Sequence, residues 1–246
     1  MDKNYYITTP IYYVNDKPHI GHAYTSIACD VLARFKRLDG YSVKFLTGTD
    51  EHGQKVEKAA KSQNKSPLEY ANFISKDFKS LTKTLNLSND DFIRTTEKRH
   101  ILAAQSLWSK LYENKHIYLD KYAGWYALRD EAFYSEKEII NGKAPSGADV
   151  SWVEEESYFF DLSKWQDKLL EFYDKNPNFI LPKSRMNEVK SFVRGGLRDL
   201  SVSRTSFEWG VKVPNNDKHI MYVWLDALTN YLSAIGYPDT LENEYV

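Results

Sequence analysis

The chain has 246 residues, of which 15% are aromatic, and its 33 basic and 34 acidic side chains give a formal net charge of −1. This length allows a large core in one or two domains, and the aromatic content argues against disorder. The balanced charge excludes a global basic field of the kind that binds nucleic acid. The single cysteine, Cys29, excludes an internal disulfide and a thiolate zinc knuckle and suits a cytoplasmic protein. No apolar run in the sequence is long enough to span a membrane, so no membrane partner is expected.

The first fifty residues predict a strand, a helix and a second strand. The stretch "YYITTP" at 5–10 is typical of a short buried strand that ends at proline, and 43–47 is predicted as the next strand. Between them, 18–38 is predicted as a helix with Asn15 or Asp16 as its cap. Its apolar side chains recur at helical steps of three and four residues, at Ile20, Tyr24, Ile27, Ala28, Val31, Leu32, Phe35 and Leu38. This order is a βαβ unit, whose two strands should be parallel.

Two polar segments follow the ends of these strands, "TTPIYYVN" after the first and "GTDEHG" after the second. The carboxyl ends of parallel strands share one edge of a sheet, and ligands bind in the crevice there. We therefore expect the two segments to meet at a ligand crevice. The predicted fold class is α/β, with a Rossmann-type parallel nucleotide-binding sheet.

The rest of the chain predicts an insertion into that sheet. Two or three helices are expected across 54–85 and 97–114. At about 115 the sequence becomes rich in β-forming and loop residues, and 115–199 is interpreted as an inserted α/β domain. The strand "HIMYVW" at 219–224 then leads into a helix for which Asp226 is the expected N-cap. The predicted division is a nucleotide-binding first half at 1–114, an insertion at 115–199 and a return to the first domain at 200–246.

The segment "DKPHIGHAYTS" places His19 and His22 on one face at the start of the first predicted helix. Backbone N–H groups and the helix dipole attract phosphate there, and Gly21 lets a base or ribose approach the backbone. Neutral imidazoles could donate to ATP and stabilise negative charge on its α-phosphate during attack by an oxygen nucleophile. Two alternatives remain open: a pair of solvent-exposed histidines, or a zinc or iron site completed by Asp50 and His52.

Five blocks of the sequence resemble, in the same order, the class I aminoacyl-tRNA synthetases, and within them the bacterial and organellar methionyl-tRNA synthetases. The blocks are "PIYYVNDKPHIGHAYTSIACDVLARF", "FLTGTDEHGQKVEKAA", "WVEEESYFF", "LSVSRTSFEWG" and "YVWLDALTNY". The resemblance covers nearly the whole chain, and five ordered blocks are far more specific than the HIGH motif alone. It implies a Rossmann catalytic domain in two parts, at 1–114 and 200–246, split by a connective-peptide insertion at 115–199.

The resemblance also implies an activity, that of a ligase that joins methionine to its tRNA. The carboxylate of L-methionine attacks the α-phosphate of ATP, which arrives with Mg²⁺, and gives methionyl-adenylate and pyrophosphate. The terminal ribose hydroxyl of tRNA(Met) then accepts the methionyl group for protein biosynthesis. Because no protein nucleophile is needed, positioning and charge stabilisation supply the rate.

The same resemblance assigns residues to this reaction. His19, Gly21 and His22 would hold ATP, with the two histidines and Arg204 as catalytic residues near phosphate or the mobile catalytic loop. The methionine pocket would be lined by Ile11, Tyr13, Trp224, Ala227, Leu228 and Tyr231, with Asp50 meeting the ammonium group. His52 is interpreted either as a partner that supports Asp50 or as a hydrogen-bond donor in the active site. Aromatic walls suit a thioether and a carboxylate suits an ammonium.

Each assignment has a plain structural alternative. Trp224 and Tyr231 could be ordinary core residues, and Asp50 could be a turn former before the glycine that follows His52. Arg204 could form a surface ion pair.

The sequence departs from the resembled family in two places. Ala127 and Asp130 stand where many members carry a CxxC pair, so no structural zinc is predicted. The insertion should instead pack around Trp125, Tyr126, Phe133, Trp152 and Phe159. No KMSKS-like loop occurs, since "LPKSR" at 181–185 has two of its letters but lies in the insertion. The phosphate-binding lysine loop and the anticodon-binding domain are expected beyond Val246, so this chain alone should be a poor catalyst.

Three other interpretations remain. A synthetase for leucine, isoleucine or valine would carry a longer editing insertion than the roughly eighty-five residues counted here, a length that suits one small domain. A metallohydrolase would use the histidine pair and Asp50. A non-catalytic binding module would hold a ligand or a protein partner without turnover.

Overall fold

A computed structural model describes residues 3–130 and 132–239 of the chain. The chain forms two compact units: Met1–Lys110 with Ser206–Val246 makes the first, and Leu111–Thr205 makes the second. The predicted insertion at 115–199 falls inside the second unit. The assignment of these parts as catalytic and connective-peptide domains stays a prediction.

The elements follow one another in the predicted general order. The first part contains β1 (Asn4–Thr8), β2 (Tyr12–Tyr13), α1 (Ile20–Leu38), β3 (Ser42–Asp50), α2 (Gln54–Ser62), α3 (Pro67–Thr84), β4 (Asp91–Arg94) and α4 (Lys98–Glu113). The second unit contains β5 (Ile117–Ala127), β6 (Ala132–Tyr134), β7 (Ser151–Phe160), α5 (Gln166–Lys175), α6 (Lys183–Arg194), β8 (Leu200–Ser201) and β9 (Ser203–Arg204). The return to the first unit brings β10 (Lys212–Val213), β11 (Asn216–Met221) and α7 (Val223–Ser233).

The sheet of the first unit is built around β3, which is parallel to β1, β2 and β4. The last six residues of β3 are buried, since neighbouring strands and helices cover them. A Cβ on Gly48 would lie 2.0 Å from the backbone oxygen of Ile93 in β4, so only glycine allows the two strands this approach. The predicted α/β class and the parallel βαβ unit are confirmed.

Three helices, α2, α3 and α4, occupy 54–85 and 97–114, which agrees with the two or three predicted. The stretch 54–85 is divided because Ser66 caps α3 in a capping box with Glu69 and Pro67 occupies the first helical turn. One helix prediction needs correction. At the other end of the chain, α7 begins at Val223 with Tyr222 as its N-cap. Asp226 is therefore inside the helix, and its predicted role as N-cap is wrong.

The second unit is organised by the antiparallel ladder between β5 and β7. Its alanine-rich cluster contains Ala127, Ala144 and Ala148, with Tyr134 and Val150 packed against them. The predicted aromatic core is only partly correct: Phe159 is buried, but the Trp152 side chain is 56% exposed while its ring meets that of Trp125 edge-on. The Phe133 side chain lies outside the described residues.

Asp130, at one of the positions where a zinc-binding cysteine would stand, belongs to a small hydrogen-bond cluster. Its carboxylate accepts bonds from Tyr134 at 2.9 Å and from Ser146. Across 3–130 and 132–239, no three His, Cys, Asp or Glu side chains are grouped so that they could hold a metal ion. In the same ranges, no helix combines the length and the apolar character needed to cross a bilayer.

Candidate active site

The two histidines of "HIGH" cap the helix on which they stand. His19, and neither Asn15 nor Asp16, is the N-cap of α1, and its Nδ1 accepts a hydrogen bond from the Gly21 N–H at 3.1 Å. In return, Nδ1 of His22 accepts from the backbone N–H of His19 at 3.1 Å. This reciprocal pair is a capping box made of imidazoles instead of the usual hydroxyl and carboxylate. We call these two residues the surface histidine pair.

Capping also decides which ring nitrogen carries the proton when either imidazole is neutral. Since each Nδ1 accepts a hydrogen bond, a neutral ring must carry its proton on Nε2, which leaves an Nε2–H donor on each side chain. Burial lowers the pKa of His22, and the neighbouring His19 ring lowers it further. The ring centroids are 3.8 Å apart, a separation that disfavours two positive charges. The pair therefore presents Nε2–H donors at a helix N-terminus.

Aromatic neighbours hold His22 in place. Its ring meets Tyr12 at 4.7 Å and Phe78 at 5.1 Å, both edge-on, and Tyr12 bonds Ser26 on the next turn of α1 at 2.8 Å. A Cβ on Gly21 would lie 2.9 Å from Cε1 of His19, so glycine makes room for the capping ring.

Asp50 ends β3 directly opposite Tyr13 of β2, and the backbone oxygen of Asp50 accepts from Val14 N–H at 3.1 Å. The two predicted segments after the parallel strands therefore meet, as expected. Asp50 is 7% exposed. The next residue, Glu51, is fully buried and held by Arg94 at 2.7 and 2.8 Å, which makes it a structural carboxylate.

A second histidine cluster lies buried in the same unit. Asp226 accepts from His52 Nδ1 at 2.7 Å and from His100 Nε2 at 2.8 Å, and all three side chains are buried. We call these residues the buried His–Asp–His cluster. It joins the loop after β3, the start of α4 and the first turns of α7.

Asp226 and His52 each stabilise the charged form of the other. Burial by itself would lower the pKa of His52, but the adjacent Asp226 carboxylate outweighs burial and raises that pKa above its ordinary value. Burial would likewise raise the pKa of Asp226, yet His52 and His100 hold it below its ordinary value. Asp226 is therefore an anion that fixes the orientation of His52.

Five of the six apolar residues assigned to the methionine pocket fall into two groups, and the sixth, Tyr13, packs against the cluster that contains Tyr12 and Phe78. Ile11 and Tyr231 pack against the same small cluster of Leu46, Ile93 and Ala234. Trp224 and Leu228 are 52% and 56% exposed, one helical turn apart on α7, with Ala227 half-buried beside them. The interpretation of Trp224 as an ordinary core residue is therefore wrong, because a core tryptophan would not expose half of its surface.

Arg204 belongs to the second unit, where it is 4% exposed. Its Nη1 donates to the Ser203 backbone oxygen at 2.7 Å and to Ser201, and its Nε is 3.6 Å from Glu155. The alternative of a surface ion pair is wrong, since the guanidinium is buried. Its predicted catalytic role stays a prediction.

Three of the residues that shape the site were missed in the sequence. His100 is 126 positions from Asp226 and carried no local signal. Trp209 donates from Nε1 to the Glu51 backbone oxygen at 2.6 Å, and Phe78 supports His22 from α3. Trp209 lies in the block "LSVSRTSFEWG", which was the one available hint for it. The alternative metal set of His19, His22, Asp50 and His52 is not assembled among the described residues.

The chain matches the model of one known class of protein over nearly its whole length. A family model described as class I tRNA synthetases (M) matches residues 5–149 and 137–245. The chain therefore belongs to this family of aminoacyl-tRNA synthetases.

Two curated relatives and one solved structure are similar to this chain over nearly its whole length. The chain is 64% identical over 244 residues to the "Methionine--tRNA ligase" of Rickettsia felis, covering 99% of this chain and 48% of that protein. It is 54% identical to the protein of the same name from Mesorhizobium japonicum. A crystal structure of Mycobacterium tuberculosis methionyl-tRNA synthetase bound by methionyl-adenylate matches with a TM-score of 0.92 and 53% identity, covering 97% of this chain and 48% of that one. The chain thus spans about half the length of these relatives.

Proposed function

We propose that this chain is part of a methionine–tRNA ligase and carries groups that activate methionine with ATP. The observation that supports this most is the match, at 53% identity and a TM-score of 0.92, to a methionyl-tRNA synthetase bound by methionyl-adenylate. In the whole protein, methionyl-adenylate would then be attacked by the terminal ribose hydroxyl of tRNA(Met). The reaction makes the protein a ligase that acts in translation, in the cytoplasm.

The surface histidine pair would act on the nucleotide. Its two Nε2–H donors stand at the N-terminus of α1, where the helix dipole favours phosphate. As methionine attacks, negative charge grows on the α-phosphate oxygens, and fixed neutral donors stabilise this charge without needing to reorganise. Gly21 would keep the backbone accessible to the nucleotide. Mg²⁺ would enter with ATP, and no structural zinc is proposed.

Methionine would be recognised by charge at one end and by apolar contact at the other. Asp50 would accept the α-ammonium group, and its position at the end of β3 opposite Tyr13 supports this role. Ile11, Tyr13, Trp224, Ala227, Leu228 and Tyr231 would form the apolar part of the pocket. Arg204 is retained as a proposed catalytic residue.

Calorimetry on the 246-residue chain tests this proposal. We expect it to bind a non-hydrolysable methionyl-adenylate analogue, and to bind L-methionine in preference to L-leucine and L-isoleucine. Asp50→Asn should weaken methionine binding by about tenfold or more, because a charge-assisted contact to the ammonium is lost. Asp217→Asn, an exposed carboxylate on β11, is the matched control and should bind normally. Equal binding of the three amino acids would contradict the pocket assignment.

The proposal also includes weak turnover by this chain alone, since no KMSKS-type lysine loop occurs in it. ATP–pyrophosphate exchange should be slow for the 246-residue chain and fast for a relative of full length. Rapid exchange by the chain alone would contradict this part and leave the ligand assignments standing.

A further inference from the structure

Helix α7 buries a polar face, which is the opposite of the usual arrangement for a helix that packs against a core. All but one of its buried residues are polar, the set being Leu225, Asp226, Thr229, Asn230 and Ser233. The apolar side chains proposed for methionine lie about 100–200° from Asp226 around the helix axis. They are Trp224, Ala227, Leu228 and Tyr231. Since hydrogen bonds are directional and apolar burial is not, the polar face fixes the rotation of α7 and of its apolar side.

One side chain from another helix, His100 of α4, contacts both ends of this polar face. Its Nε2 donates to Oδ1 of Asp226, near the start of α7, at 2.8 Å. Its Nδ1 lies 3.2 Å from the Oγ of Ser233, the last residue of the helix, about two turns further along. The His100 side chain is fully buried. A rigid, buried imidazole that is bonded at both nitrogens therefore sets the rotation of α7 and its position along its own axis.

The second oxygen of Asp226 connects α7 to the other end of the proposed methionine pocket. Oδ2 of Asp226 accepts from His52 Nδ1 at 2.7 Å, and His52 is two residues beyond Asp50, the proposed partner of the ammonium group. The backbone before His52 is held as well, because Trp209 Nε1 donates to the Glu51 backbone oxygen at 2.6 Å. One carboxylate thus joins the helix that carries the apolar wall to a fixed loop beside the ammonium site.

We propose that His100 is a positioning residue for the selection of methionine. It acts through Asp226, without touching the ligand, and sets the distance between the apolar wall on α7 and the carboxylate of Asp50. Methionine, leucine and isoleucine share the ammonium group and differ in the length and branching of the apolar chain. A pocket discriminates among them only if the distance between its two ends is fixed. The inference rests on the proposed function, which assigns both ends of the pocket.

Calorimetry on His100 variants of the 246-residue chain tests this inference. His100→Leu removes both ring nitrogens and should weaken L-methionine binding by about tenfold, because Asp226 loses a buried donor and α7 loses its fixed rotation. L-leucine binding should hardly change, so the preference for methionine should fall. ATP binding at the distant surface histidine pair should stay within about twofold. His100→Gln replaces the Nε2 donor and should restore most of the preference.

A double-mutant cycle shows whether His100 acts through Asp226. Asp226→Asn should reduce the preference for methionine by itself. Adding His100→Leu should reduce it little further, because both changes break the same connection. Two fully additive losses would mean that His100 acts by another route, and the inference would be wrong.

Ser88→Ala is the matched control, since it removes hydrogen bonds of the Ser88 hydroxyl with Asp30 and Arg37 of α1, each at 2.6 Å. It should lower the melting temperature and keep the preference for methionine. If His100→Leu does not fold, His100→Asn, which is too short to reach Asp226, should show the same loss of preference.

Two results would overturn the inference. One is an unchanged preference for methionine in the folded His100 variants, and the other is an equal loss of methionine and ATP binding, which would indicate general unfolding. Either result, with Asp50→Asn still weakening methionine binding, would leave the proposed function intact. If the unsubstituted chain shows no preference for methionine, the proposed function is wrong and this inference fails with it.

Discussion

The surface histidine pair and the buried His–Asp–His cluster use the same side chain in opposite ways. In the surface pair, each Nδ1 is occupied by a backbone N–H two or three residues away, and each Nε2 remains available as a donor. In the buried cluster, His52 and His100 donate to one carboxylate across 174 and 126 residues of chain. The first is local and leaves a donor on each ring at the end of a helix. The second is long-range and holds three elements together.

Both groups are built on histidine, so residue type does not distinguish their roles. What differs is the solvent accessibility of the side chains. A buried anion is stable only with well-placed donors, so Asp226 fixes His52 and His100. An exposed imidazole needs no such partner, and the helix end uses it as a cap. Three expected outcomes test this distinction.

The largest effect is expected from Asp226→Asn. Removing one partner of a buried charged cluster should lower the free energy of unfolding by about 3–5 kcal/mol near pH 6. Urea denaturation measures this change, with Asp217→Asn as the exposed control on the preceding strand. A loss below about 1 kcal/mol, the range of exposed pairs, would show that the cluster does not hold the elements together.

A smaller effect is expected from His19→Ala. Loss of an N-cap acceptor should cost about 1 kcal/mol of unfolding free energy. His19→Asn supplies an alternative cap and should restore the stability measured in urea. It should not restore binding of the methionyl-adenylate analogue in calorimetry, because the Nε2–H donor is still missing. Recovery of both properties would mean that His19 acts only as a cap.

The smallest expected effect is the change with pH in the unfolding free energy that the His52–Asp226 ion pair contributes. The raised pKa of His52 means that its ion pair with Asp226 stabilises the fold fully below the unfolded value of about 6.5. This contribution is lost as the pH rises through the raised folded value. The difference in unfolding free energy between the unsubstituted chain and Asp226→Asn should therefore shrink above about pH 6.5. A difference that stays constant from pH 6 to 9 would mean that His52 is neutral throughout.

His22 must be separated from this effect, because its lowered pKa acts with the opposite sign. A histidine that prefers to be neutral in the fold loses stability as the pH falls below its unfolded value. Its contribution therefore changes below about pH 6.5, whereas that of His52 changes above this value. Since both proteins in the comparison keep His22, this contribution cancels in the difference.

Much of the first unit could be predicted because its signals are local. The period of α1, the strands on both sides of it and the meeting of Tyr13 with Asp50 follow from spacing and from the geometry of parallel strands. The resemblance of five blocks to one family also came from the sequence alone. The wrong predictions concern helix caps: His19 caps α1 in place of Asn15 or Asp16, and Tyr222 caps α7 in place of Asp226.

The sequence by itself determined the fold class, the family and the histidine pair, because each depends on residues close together or in a fixed order. Only the tertiary structure decided which side chains are buried. It placed Asp226 between His52 and His100, and it buried Arg204 while leaving Trp224 half exposed. It also turned the apolar side of α1 outward. Periodicity defines the faces of a helix, but which face is covered depends on elements that are distant in sequence.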